Sequence, residues 1–405
     1  MTISEPITTE PRPQVSLWTI FSSYFVVGLT AFGMAILQKL KALVMDNHWL
    51  SEEEMNDGLA MVQLYPGPLM VDFSAYVGYK LRGVLGATLA TIGFILPSFV
   101  LMSVLSAFYF AAGNLPWVKS LFIGLEALVV GILLNVTLEM GGRNMQTRTQ
   151  ALITLLAFGA LLFKLNAVLI VLVALALGAW LIRPSAGKNV GAGKPASPKV
   201  EAVSWKRWAG IGAVVAVILA VVAFSWSLKS EIGGLALSLF KIGSVAFGNG
   251  SAIIPLIQAE AVDIHPWMSL SQFADGIALG QITPGPFLIT ATFIGYKLAG
   301  FWGGLLATFA IFSPSFAMTL VFTEVFARIR NLKPVRGALM GVMASFVGLL
   351  AVVLLQLGGV ALKSPAAFAL AGAAFIAVRW FKVDILWVFL GGIALWGGLL
   401  VFGLV

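Results

Sequence analysis

Two short elements in this chain carry the residue types for chemistry: Pro66-Gly67-Pro68 and Pro284-Gly285-Pro286. Each lies well inside a long apolar segment. Proline in a helix interior removes a backbone hydrogen bond and costs about 3 kcal/mol or more. In hydrocarbon the freed backbone groups must find partners, so irregular chain survives only where it is buried in protein or lines a cavity. One such proline reads most simply as a kink. Two at matched positions, each with a glycine and a second proline, predict a pair of broken helices. The half-helix after each break would begin at Pro68 or Pro286 and present unpaired N–H groups with a partial positive charge. That is an anion site made from backbone. Gln63 and Gln281 precede the breaks and could orient a bound anion. Ser98 and Ser315, each directly after a proline, are weaker candidates.

Glycine-rich stretches at 28–33 (GLTAFG) and 243–250 (GSVAFGNG) form a second matched pair. Glycine lets helices approach closely and lets them unwind. The first copy is equally well read as close packing. The second adds Asn249, Ser251 and Pro255, and predicts a further break with Asn249 as a binding candidate.

Charges inside apolar segments are few. A charge at the midplane costs at least about 2.5–3.5 kcal/mol, which makes each a functional candidate. Asp72 follows the first break by one helical turn, whereas its repeat position is Thr290. Glu126 and Lys241 lie in later segments. Lys241 could equally snorkel to the surface, and Glu126 could sit neutral in a helix–helix hydrogen bond. Asp72 is the leading candidate for coupling to protons, since a carboxylate beside a bound anion repels it unless protonated. Lys80, Arg82 and Lys297 mark membrane boundaries and would draw anions toward the pore. Glu52, Glu53 and Glu54 follow Ser51 and read as helix-capping residues.

Other chemistries lack their residues. Cysteine is absent and His48 and His265 are the two histidines, so thiol catalysis, disulfides and Cys/His metal sites are excluded. No nucleophile–base set falls in the apolar segments and no phosphate-binding loop occurs. The expectation is a protein that is not an enzyme and needs no metal or cofactor.

The elements that would position these residues are membrane helices. Of 405 residues, 60% are hydrophobic and 10% charged, with a mean hydropathy of +0.98. Soluble domains carry about 25% charged residues, so lipid must be the solvent. The net charge of +8 does not indicate nucleic acid, because the basic residues cluster in loops, as positive-inside topology demands. Apolar segments of about 20 residues number about thirteen. Two of them, 52–82 and 268–298, are over-long and carry the PGP elements.

The chain is a duplication. QLYPGPLMVDFSAYVGYKLRGVLGATLATIGFILPS begins at Gln63, and QITPGPFLITATFIGYKLAGFWGGLLATFAIFSPS begins at Gln281. The PGP elements are 218 residues apart (284 − 66) and the Pro-Ser pairs 217 (314 − 97). The expected fold is an all-α polytopic membrane protein in two homologous halves with broken helices. Residues 1–16, which lack a secretory signal, are a cytoplasmic tail and 17–183 the first repeat. Residues 184–205, rich in Gly, Ala, Ser, Pro and Lys, are a flexible cytoplasmic linker. Residues 206–228 are an unpaired span and 229–405 the second repeat. Equivalent loops carry opposite charge bias, Lys119 alone in one against Arg328, Arg330, Lys333 and Arg336 in the other. The halves are therefore inverted, with a cytoplasmic N-terminus and an external C-terminus, and the substrate site lies at their interface.

A PGP preceded by Gln, a GYKLRG-type sequence, and glycine and alanine leading to LPS resemble the chromate ion transporter family. Two copies resemble its long-chain, two-domain form. The family's run of glycines after the phenylalanine is thinner in the first copy (Phe32-Gly33-Met34) than in the second (Phe247-Gly248-Asn249-Gly250). The resemblance implies a secondary transporter in the inner (cytoplasmic) membrane that exports chromate, a tetrahedral dianion, and confers chromate resistance. Sulfate has the same shape and charge and remains an alternative, as does an anion channel. Protons are a candidate coupling partner. The residues do not fix the oligomeric state, and a homodimer is compatible with them.

Overall fold

Every regular element among the described residues is helical. The computed structural model describes residues 15–33, 35–112, 115–182, 205–228, 230–247, 250–329 and 333–402. The first half contains α1 (Leu17–Thr30), α2 (Ala35–Asp46), α3 (Glu52–Met61), α4 (Leu69–Ala112), α5 (Pro116–Asn144), α6 (Arg148–Leu162) and α7 (Ala167–Leu181). α8 (Trp205–Ser227) follows. The second half contains α9 (Glu231–Ser244), α10 (Ile254–Gln258), α11 (Leu270–Ile282), α12 (Thr290–Ile329), α13 (Lys333–Ala361), α14 (Pro365–Arg379) and α15 (Ile385–Val401). A π-helical turn, Ala259–Ile264, continues from α10.

Among the described residues, five helical segments are long and apolar enough to cross a membrane: Leu69–Ala112, Pro116–Asn144, Trp205–Ser227, Phe287–Val325 and Arg336–Ala361. Trp18, Trp180, Trp205, Trp226, Trp302, Trp380 and Trp387 are exposed, as expected of rings at a membrane–water interface.

The repeat is visible in local structure. Both α3 and α11 open with a capping box, Ser51 with Glu54 and Ser269 with Gln272, so the acidic run at 52–54 caps a helix as the sequence predicts. α4 spans 44 residues, about 66 Å if straight and twice the hydrocarbon thickness. It is not straight. Arg82 and Gly83 leave helical geometry, and Gly83 has φ of +62°. Ala299 and Gly300 do the same in α12, 217 residues later (300 − 83). Gly78 then packs on the backbone of Gly86, and Gly295 on that of Gly303. In a straight helix residues eight apart stand about 12 Å from each other, so each long helix folds back as a tight hairpin. Glycine supplies both the left-handed turn and the close approach.

The apolar run at 17–44 is two helices, because the chain unwinds after α1 at Ala31 and Gly33 takes φ of +50°. Gly28 nevertheless packs directly on the Phe94 backbone, so this stretch supplies both a close contact and a break.

The halves interlock. α5 packs on α14 as α13 packs on α6, and α13 packs on α7 as α5 packs on α15. Contacts of this i-to-j, j-to-i kind are what an approximate two-fold produces. Hydrogen bonds cross the seam, from Thr154 Oγ1 to the Ala344 carbonyl (2.8 Å) and from Trp396 Nε1 to the Ser120 carbonyl (2.7 Å). The Tyr79 hydroxyl donates to Glu324 (2.6 Å), and Arg207 of α8 lies 3.8 Å from the same carboxyl.

Candidate functional site

The two breaks close on each other's half. After α3 the chain turns through Tyr65, Pro66 and Gly67, and α4 restarts with Val71 and Asp72 N–H groups bonded to the Pro68 carbonyl (2.8 and 3.1 Å). The following half-helix thus starts where the proline pattern places it. Gly67 is buried, and a β-carbon there would meet the Asp72 carboxyl and lie 2.7 Å from Ser315 Cβ. Tyr65 hydrogen-bonds Thr319 through their hydroxyls (2.8 Å). Ser315 and Thr319 both belong to α12, so the second half seals the first break.

The second break shows the reciprocal arrangement. The Gly285 N–H donates to the Ala31 carbonyl (3.1 Å), and the Ser98 hydroxyl donates to the Pro284 carbonyl (2.7 Å). Gly285 has φ of +97°, and a β-carbon on it would run into Ser98 Oγ. After a short 3-10 turn, Phe287–Ile289, α12 begins at Thr290. Ser98 and Ser315 are fully buried. Each break therefore sits against the Pro-Ser segment of the opposite half, Gly67 against Ser315 and Pro284-Gly285 against Ser98. Pro66 is half-buried.

Asp72 separates the two copies chemically. It is fully buried in the first turn of α4, where a negative charge complements the helix N-terminus. Neither carboxyl oxygen receives a hydrogen bond. The neighbouring hydroxyls are turned away, Ser315 donating to the Phe312 carbonyl and Thr319 to that of Ser315. Thr290, its counterpart, is neutral and bonds the Phe287 carbonyl (3.1 Å).

The other sequence candidates scatter. Gln63 is exposed and Gln281 half-buried, at the margins of the breaks. Lys241 is exposed at the end of α9, as snorkelling predicts. Asn249 lies outside the described residues. Lys80 lies 5.9 Å from the Tyr76 ring centre, Arg82 bonds the Val15 carbonyl (3.0 Å) at the hairpin, and Lys297 donates to Gln272. Glu126 is buried and accepts a hydrogen bond from Ser271. Sequence reasoning missed Tyr65, Thr319 and Asp275. The signal for Asp275 was the repeat itself, since Asp57-Gly58 and Asp275-Gly276 stand 218 residues apart (275 − 57).

Residues 18–179 and, separately, 233–397 match the family described as Chromate transporter. The chain belongs to the chromate transporter family. A relative in Methanocaldococcus jannaschii, described as an uncharacterized transporter, is 31% identical over 352 residues, 86% of either chain. A chromate transport protein of Cupriavidus metallidurans is 31% identical over 313 residues, 76% of this chain and 73% of its own. An uncharacterized transporter of Bacillus subtilis aligns at 26% identity over 41% of this chain but 96% of its own length. Nearly the whole of that relative thus aligns with less than half of this chain, and the family model matches this chain twice. No solved structure matches it.

Proposed function

We propose that this protein is a secondary active transporter that exports chromate across the inner (cytoplasmic) membrane and so confers chromate resistance. The observation that carries the reading is the reciprocal closure of two broken helices, each N-terminal end buried against the other half. The dianion binds between the breaks, with backbone N–H groups after Gly67 and Gly285 as principal donors and Ser98 and Ser315 beside them. The name of the Cupriavidus metallidurans relative, a chromate transport protein, supports the cargo. Export is the direction physics favours. An inside-negative potential of 100 mV is worth about 2.3 kcal/mol per charge, so a dianion is driven outward by roughly 5 kcal/mol.

The test is chromate flux in proteoliposomes under separately imposed voltage and pH gradients, with sulfate as competitor. Saturable efflux driven by an inside-negative potential and competed by unlabelled chromate is the expected result. Flux that never saturates would make the protein a channel. Sulfate competing better than chromate would reassign the cargo.

The two-fold that relates the halves lies, in this reading, in the membrane plane, which makes them inverted repeats. α8 supplies the odd crossing. Reporter fusions should place residue 1 and the 184–205 linker in the cytoplasm and residue 405 outside. Both termini on one face would refute the inversion.

A further inference from the structure

A second polar site stands apart from the breaks. Tyr109, Lys119, Glu126, Ser271, Gln272 and Asp275 help to line a cavity of about 540 Å³. Two carboxyl groups line it together, Glu126 from α5 and Asp275 from α11, and the charge of each acts on the other. Both are buried, with 5% and 4% exposure. Each has one donor. Ser271 donates to Glu126 Oε1, and the Tyr109 hydroxyl donates to Asp275 Oδ2 at 2.6 Å. Asp275 Oδ1 is buried and receives nothing. The Glu126 carboxyl lines the same cavity, and two carboxyl groups can hydrogen-bond only when one of them holds a proton.

The surrounding charges do not supply a substitute. Lys297 of α12 is turned to Gln272. Lys119 lies on the cavity wall and Lys363, in the turn after α13, acts on Glu126 from a distance. α15, which packs on α5 and α11, contains no charged residue, and the one in α14, Arg379, stands at that helix's far end from Lys363. The nearby π-helical turn holds Glu260, but that carboxyl accepts from Ser238 (2.7 Å) and faces His265 at 3.7 Å. The pair also departs from the repeat. Asp275 has a counterpart in Asp57, but Glu126 corresponds to Met343 (343 − 126 = 217). A charge in this setting is costly, and helix packing alone does not need it, since the other half does without.

We propose that Glu126 and Asp275 share one proton and form a second proton site of this transporter, distinct from Asp72 and the anion site at the breaks. The loaded state is Glu126–COOH donating to Asp275–COO⁻, or the reverse. On unloading, the proton passes to water in the cavity and leaves two facing carboxylates, which repel each other and push α5 from α11. Like-charged carboxylates that share a site hold a proton between them for this reason. The site thus couples proton occupancy to the packing of two helices from opposite halves. This goes beyond the proposed chromate export, and only its flux arm depends on that reading.

The experiment uses the full-length protein reconstituted in lipid. Infrared difference spectra between acid and alkaline buffer should show a protonated-carboxyl C=O band in the wild type. Glu126→Gln and Asp275→Asn should each remove or displace that band. The double variant should uncover no further loss, because one proton is shared. Tyr109→Phe, which deletes a donor but no carboxyl, should keep the band and move its pH midpoint upward, because the Tyr109 hydroxyl stabilises the ionised carboxyl. In vesicles, flux driven by a pH gradient should fall at least tenfold in both carboxyl variants while chromate–chromate exchange persists. A band untouched by either substitution overturns the proposal, as does one that responds to sodium at fixed pH. Undiminished pH-driven flux in both variants overturns it as well. Absence of chromate exchange in the wild type would instead count against the export reading, and the infrared result would still decide the proton site.

Discussion

Gly285→Ala should lower chromate flux at least tenfold at equal membrane expression. The residue sits at φ of +97°, where a β-carbon is strained by roughly 1–2 kcal/mol. The new carbon would also occupy the space of Ser98 Oγ, with Ser98 Cβ only 3.3 Å away, and overpacking of this kind costs about 1–3 kcal/mol. The chain must respond by moving the break or by expelling the Ser98 hydroxyl, which now holds the Pro284 carbonyl at 2.7 Å. Either response displaces the N–H groups that follow Gly285. Preorganised donors lose most of their value when they shift, so the loss should appear in binding as well as in turnover. Adding Ser98→Ala removes the atom that collides and should restore part of the flux, leaving the backbone strain. Normal flux in Gly285→Ala would mean that the second break only bends the helix. By contrast, Gln63→Ala touches an exposed side chain and should cost at most a neutral hydrogen bond, about 1 kcal/mol.

The breaks themselves were legible because proline and glycine act locally. Pro66 and Pro284 remove a hydrogen bond wherever they are placed, so the sequence alone locates the restart of α4 beside Pro68. The partner of each break was not legible. That Gly67 meets Ser315 and Gly285 meets Ser98 depends on how two halves dock, and nothing within either repeat encodes it visibly. The reversals at Gly83 and Gly300 were legible, because the over-long apolar segments end at 82 and 298 and a further apolar segment follows each. The packing of Gly78 on Gly86 adds how tight the turn is. Asp275 follows the Ser269 cap by six residues (275 − 269) and so reads as a surface charge near a helix start. It is buried because α4 and α5 of the other half cover that start, which is a tertiary fact.

Asp72→Asn should tighten chromate binding at alkaline pH by at least tenfold and flatten its pH dependence, while turnover falls. The carboxyl lies against Gly67 at the helix N-terminus where the dianion is proposed to sit. The N-terminal dipole offers an anion at most about 2 kcal/mol. A unit charge about 6 Å from a dianion, at an effective dielectric of 20, opposes it by roughly 5 kcal/mol. Repulsion wins, so with Asp72 ionised the first break rejects chromate, and binding there requires Asp72 to take up a proton. The sign follows. Wild-type affinity should be fully present where Asp72 is protonated and should weaken tenfold per pH unit once it ionises, because one proton accompanies each anion bound. Asparagine is neutral throughout and removes that slope. Any protonation of chromate itself is common to both proteins and cancels in the comparison. Release is the step that suffers, since the wild type can eject its cargo by ionising Asp72 and the variant cannot. Calorimetric titration of chromate across pH, with efflux measured in parallel, separates binding from turnover. A wild-type slope that survives unchanged in Asp72→Asn would remove Asp72 from the anion cycle and leave the neutral second break, at Gly285 and Thr290, as the place where chromate is held.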